Sequence, residues 1–124
     1  LPGGGGVNPL DYSLCDQTVT VYRKADGEIG RTVIENAYLS AKVSMPNESY
    51  GKSKEKTFLL IIPGGDFPLQ TGDRIFDGTG PETVDWQAFV PAAVPALYEA
   101  AYVKPCRWEG EITHWEAGNR KETL

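Results

Sequence analysis

Lys56-Thr57-Phe58-Leu59-Leu60-Ile61-Ile62-Pro63 is the stretch on which the fold turns. Five consecutive large apolar residues fall far short of the ~20 needed to cross a bilayer. Pro63-Gly64-Gly65 stops the run sharply, so it reads as a strand. A continuous apolar run predicts burial on both faces, as at the centre of a barrel or a sandwich.

Upstream, Thr18-Val19-Thr20-Val21-Tyr22 alternates β-branched and aromatic residues with period two, and Ala25-Asp26-Gly27 supplies a hairpin turn. From Arg31 to Met45 the style continues, with Val33, Ala37, Leu39 and Val43 at odd positions. This predicts one long bent strand, or two short ones meeting near Asn36, ended by Pro46-Asn47. Between these strands, Asn47 to Glu55 is polar and without periodicity, which predicts a loop.

Downstream, Thr71-Gly72-Asp73 delivers a short strand, Arg74-Ile75-Phe76, and Asp77-Gly78 follows. Asp73 and Asp77 read as turn residues that hydrogen-bond their own backbone. In Gly80 to Pro95, Thr83 caps a short helix of one or two turns that Pro91 and Pro95 keep from running on. Leu97 to Val103 regains strand character, and Pro105 interrupts it. Cys106-Arg107-Trp108 and Ile112 to Glu116 then flank Glu109-Gly110-Glu111 as a C-terminal hairpin. The expected architecture is mainly β: a small single-domain barrel or sandwich with one short helical insertion. Residues 1–13 form a flexible Gly/Pro-rich arm, 14–119 the β-rich domain and 120–124 a frayed tail. The core anchors are Val19, Val21, Phe58, Leu60, Ile62, Ile75 and Trp115.

Composition narrows the function. The chain has 124 residues, 40% of them hydrophobic, and a net charge of −5, which suits one globular domain with a real core. Interspersed charges of both signs count against nucleic acid as a partner, and Lys52, Lys54 and Lys56 read as a solvated loop. No membrane span and no export signal are visible, so the chain reads as soluble. Without a secretory signal, Cys15 and Cys106 are expected as free thiols.

His114 is the only histidine. With no second His and two distant cysteines, no metal quartet can be assembled, and no metal or cofactor is expected. Cys106 lies across the proposed hairpin from His114, but no third orienting residue and no nucleophile motif accompany it. The expectation is a buried free thiol and a surface imidazole, with His114 and Glu116 on the strand face opposite Trp115. Glu109, Glu111 and Glu116 near Trp108 and Trp115 superficially suggest a glycosidase pair, but nothing places two carboxyls at the required separation. Among these tryptophans and Trp86, packing is the simpler role. No catalytic residue is assigned.

Taken in order, Thr20 to Lys24, Arg31 to Ile34, Ile61 to Pro63, Gly72 to Ile75 and His114 to Gly118 resemble small minor capsid and head-tail connector (tail-completion) proteins of tailed bacteriophages and prophages. The similarity covers about residues 14 to 119 and departs from the family at the Pro/Ala-rich Phe89 to Leu97. The resemblance implies a β-rich domain without catalytic activity, made in the bacterial host cytoplasm and built into the virion. It implies assembly as a homo-oligomeric ring against portal, capsid or tail proteins. Candidate contact elements are the glycine arm, the Asn47 to Glu55 loop and the Thr79 to Pro95 excursion, with Tyr50, Lys52, Lys54, Trp86 and Phe89 as candidate contact residues. The alternative is a β-barrel module that binds nucleic acid or carbohydrate at an aromatic face.

Overall fold

Seven strands pair into one antiparallel sheet in the computed structural model, which describes residues 12–44 and 55–119. They are β1 (Gln17–Ala25), β2 (Glu28–Ser44), β3 (Glu55–Pro63), β4 (Arg74–Asp77), β5 (Leu97–Glu99), β6 (Tyr102–Trp108) and β7 (Glu111–Gly118). Their spatial order is β5-β4-β1-β2-β3-β7-β6. The sheet curls into a half-barrel whose concave side holds one core, with Val19, Val21, Leu39, Leu60, Ile75, Tyr98 and Ala117 among its members. Of the expected anchors, Val19, Val21, Phe58, Leu60, Ile62 and Ile75 are buried, and Trp115 packs partly buried against them. Tyr50, Lys52, Lys54 and most of the Asn47 to Glu55 loop lie outside the described residues, as do residues 1–11 and 120–124.

β2 is one strand, and a bulge bends it. Gln17 pairs with Ala37 while Val19 pairs with Ile34, so β2 carries one extra residue beside Asn36. Residues up to Ala37 pair with β1, and those from Tyr38 onward pair with β3. The Gln17 side chain spans the switch: its Nε2 donates to the Leu39 carbonyl at 3.2 Å and its Oε1 accepts from the Leu39 amide at 3.0 Å. The amide thus imitates one more residue of β1 after the backbone ladder has ended. Asp26 and Gly27, at φ 53° and 80°, form the expected two-residue turn between β1 and β2.

Burial on both faces belongs to β1, not to β3. In β3, Phe58, Leu60 and Ile62 are buried, whereas Leu59 and Ile61 on the other face are only half-buried. In β1, Val19 and Val21 face the concave core while Thr20 and Tyr22 are buried beneath the 78–96 segment. Thr20 Oγ1 donates to the Gly78 carbonyl and accepts from the Gly80 amide, at 2.8 and 2.9 Å, and the Tyr22 hydroxyl donates to the Pro81 carbonyl at 2.6 Å. The polar atoms of Thr20 and Tyr22 thus satisfy the backbone of the segment that covers them.

The expected short helix is absent: residues 80–96 form successive turns. Isolated i to i−4 bonds join Phe89 to Asp85 and Val94 to Val90, but Pro91 and Pro95 prevent a ladder. Cations from the sheet satisfy many of the carbonyls instead. Arg31 donates to Gly80 and Pro81, Arg74 to Trp86 and Phe89, and Lys56 to Pro91, Val94 and Leu97. Lys56 is therefore a tether between β3 and this segment, not part of a solvated cluster. Beneath the segment lies a second apolar cluster of Tyr22, Phe89 and Leu97, flanked by Phe76, Val84, Trp86 and Val94.

The stretch Leu97 to Val103 is two strands, because the chain leaves β4 after Glu99 and crosses at Ala100-Ala101 to the far margin of the sheet. Pro105 does not interrupt β6. The strand lies at the sheet margin, where a missing N–H need not remove a ladder bond.

Candidate functional site

The β6–β7 hairpin builds the densest group of reactive side chains among the described residues. Glu109 and Gly110, at φ 53° and 86°, make its two-residue turn between the paired Trp108 and Glu111. The register then places Cys106 opposite His114 and Lys104 opposite Glu116, all on one face of the sheet. Trp115 and Ala117 point the other way, into the concave core. A register slip between Cys106 and Arg107 leaves Thr113 without a partner on β6, and its hydroxyl donates to the Cys106 carbonyl at 3.1 Å.

His114 is not a surface imidazole. Its side chain is 2% exposed, shielded by Tyr12 from the segment that precedes β1. The Tyr12 hydroxyl lies 2.7 Å from His114 Nδ1, with the two rings edge to face at 73°. His114 Nε2 lies 3.0 Å from Glu116 Oε2. A carboxylate only accepts, so in the neutral ring Nε2 carries the proton and Nδ1 accepts from Tyr12. Tyr12 falls within the stretch read as a flexible arm, yet it packs on the sheet; no local pattern in the sequence connects it to His114.

Cys106 completes the group: one ligand atom each of Cys106, His114 and Glu116 lie within 4.8 Å of one another. Burial, reinforced by the negative charge and hydrogen bonding of Glu116, pushes the Cys106 thiol up to about 11, against a smaller opposing effect of Lys104. At neutral pH the sulfur is a protonated thiol, a poor nucleophile. A folded-state value two pH units above the ordinary 9.0 predicts that iodoacetamide alkylates Cys106 about a hundredfold more slowly at pH 8 than an unperturbed thiol. The rate should climb as pH rises toward 11. Peptide mapping after timed alkylation checks this, and rapid labelling of Cys106 at pH 8 would contradict it. Neither Cys15 nor Cys106 is in a disulfide.

The other candidates scatter. Phe89, proposed as a contact residue, is buried against Tyr22 at a ring separation of 4.8 Å. Trp86 is half-buried under the Arg74 guanidinium, 3.7 Å from the ring centre. Trp115 packs on the core with its indole nitrogen lacking an acceptor, and Trp108 stands exposed beside the hairpin turn. The three tryptophans thus belong to different surroundings and form no common aromatic platform. Asp73 is more than a turn residue. It caps the Gln70 amide at 2.8 Å and also holds Arg23 through two bonds of 2.7 Å. No helix among the described residues is long and apolar enough to cross a membrane.

Two exposed apolar side chains sit beside hairpin turns. Ile29 follows the β1–β2 turn and Trp108 precedes the β6–β7 turn, and they are 36% and 37% exposed. In β2, Tyr38 pairs with Ile61 of β3, so the β1–β2 turn lies well beyond the end of β3, whereas the β6–β7 turn lies just past the pairing of Pro63 with His114. No protein-family profile, curated protein or solved structure matches this chain.

Proposed function

We propose that this chain is a non-enzymatic structural subunit of a phage or prophage particle, a minor capsid or head-tail connector protein that acts through ring assembly and protein–protein contacts. The observation that carries this reading is that two hairpins of the half-barrel each present a large apolar residue, Ile29 and Trp108, to solvent. Aromatic and aliphatic side chains on stiff two-residue hairpins suit contact with a neighbouring subunit, because little conformational freedom remains to be lost on docking. The sheet margins are less suited to strand addition. β5 has three residues and β6 carries Pro105, so neither offers a long run of free donors and acceptors. Assembly is therefore assigned to the hairpin tips and not to the edges. In this reading the chain is made in the bacterial cytoplasm, partners with copies of itself and with portal, capsid or tail proteins, and needs neither membrane nor nucleic acid.

Cofractionation tests it. Particles from a culture carrying the gene are banded on a density gradient, and their proteins are identified by mass spectrometry. Recovery of the chain at fixed stoichiometry with a portal protein is expected. Ile29→Ser with Trp108→Ser should abolish incorporation while circular dichroism stays unchanged. A chain abundant in the lysate and missing from the particles would end the proposal.

A further inference from the structure

We propose that Cys106, His114 and Glu116 form a binding site for a thiophilic divalent cation of the zinc class, with Tyr12 orienting the histidine. Three features carry the inference. First, the ligand atoms converge: a thiol, an imidazole nitrogen and a carboxylate oxygen lie within 4.8 Å of one another on one face of the β6–β7 hairpin. Tetrahedral ligands at about 2.0–2.3 Å from a zinc ion stand roughly 3.3–3.8 Å apart, so side-chain rotations of about an ångström close the set. Second, the donors are of the right kind. Sulfur, imidazole and one carboxylate favour zinc over calcium or magnesium, which take oxygen ligands.

Third, the histidine is positioned through its far nitrogen. Tyr12 occupies Nδ1 at 2.7 Å and leaves Nε2 directed toward Glu116 and the site. A hydroxyl both donates and accepts, so Tyr12 serves either tautomer. In the metal-free chain it donates to Nδ1. When the cation takes Nε2, the ring proton moves through solvent to Nδ1, which then donates to the Tyr12 oxygen, as ligating histidines commonly donate to a neighbouring group. The cation also displaces the Cys106 thiol proton. One proton is released to solvent for each cation bound, and no oxidation or reduction occurs. The chain supplies three ligands, and because Cys106 and Glu116 are partly exposed, water fills the fourth position.

The chain has no second histidine, and Cys15 is far along the chain from Cys106, but a hairpin needs only cross-strand and i, i+2 neighbours to gather three different donors.

Cobalt(II), a spectroscopic stand-in for zinc, provides the test on the full chain. Titration of reduced protein should saturate at one equivalent, with a thiolate-to-cobalt charge-transfer band and the intense visible absorption of a tetrahedral centre. Zinc should bleach both. Cys106→Ser should remove the charge-transfer band, Glu116→Gln should weaken binding, and Cys15→Ser should leave the spectrum unchanged. Tyr12→Phe keeps every ligand and should weaken zinc binding about tenfold in a chelator competition. All four replacements are close in size, and circular dichroism reports whether each variant is folded. Three results would each overturn the proposal: no charge-transfer band at one equivalent, a band that survives in folded Cys106→Ser, or a band lost in Cys15→Ser. Weak binding of several equivalents would mean adventitious metal only and would overturn it equally.

Discussion

Lys56→Met is expected to lower the free energy of unfolding by about 3 kcal/mol, read as a drop in the urea midpoint at unchanged slope. The Lys56 ammonium donates to the carbonyls of Pro91, Val94 and Leu97 at 2.7, 2.9 and 3.0 Å and lies 5.3 Å from the centre of the Tyr98 ring. An ammonium has three protons, and this arrangement uses all of them. Methionine preserves most of the apolar stem and deletes the charge, so the loss reports hydrogen bonding and not packing. Three carbonyls are left without this donor, and the segment over Tyr22 and Leu97 loses its attachment to β3. Lys56→Arg should recover only part of the loss, because a planar guanidinium cannot direct three donors at one compact cluster of oxygens. A change below about 0.5 kcal/mol, the range of ordinary surface substitutions, would show that the tether is ornamental.

Arg23→Ala should cost a similar amount, about 3 kcal/mol, at the low end for broken buried ion pairs because the arginine itself is partly exposed. Asp73 is 1% exposed and Arg23 is 30% exposed. Arg23 Nε and Nη2 each bond one carboxylate oxygen at 2.7 Å, and Nη2 also donates to the Pro68 carbonyl at 2.8 Å. The hydrogen bond and charge of Asp73 outweigh burial and hold the Arg23 guanidinium above its ordinary range, so it stays charged wherever the protein is folded. Removing it strands a buried carboxylate immediately before β4, whereas Asp73→Asn added to Arg23→Ala removes the stranded charge. The double variant should therefore be more stable than the sum of the single losses predicts, which a double-mutant cycle measures. Strict additivity would contradict the pairing.

What the sequence made legible follows period and punctuation. The hairpins at Asp26-Gly27 and Glu109-Gly110, the strand through Phe58 to Ile62 and the short strand at Ile75 are all set by local chemistry: left-handed turn residues, β-branched alternation and proline or glycine stops. Lys56 and Phe89 take their roles from partners far away along the chain: Lys56 from the 78–96 segment, which has no periodicity of its own, and Phe89, inside that segment, from Tyr22 beneath it. A lysine that caps carbonyls and one that faces water look alike in a sequence. The reactive group shows the same divide. The hairpin register that sets Cys106 opposite His114 follows from the Glu109-Gly110 turn, but the cover over the imidazole comes from Tyr12, outside any repeating pattern.

The strand order has a consequence for biosynthesis. Among the seven strands of this sheet, β1, β2 and β3 are made first and form its middle, and the strands that flank them, β4 and β7, come later. Until those arrive, the nascent meander has two unprotected margins, one of them the strongly apolar β3. Translation at several residues per second makes that interval a matter of seconds. The hazard to this protein therefore concentrates in an intermediate whose centre is complete and whose borders are bare. Those borders close when β4 pairs with β1 and β7 pairs with β3.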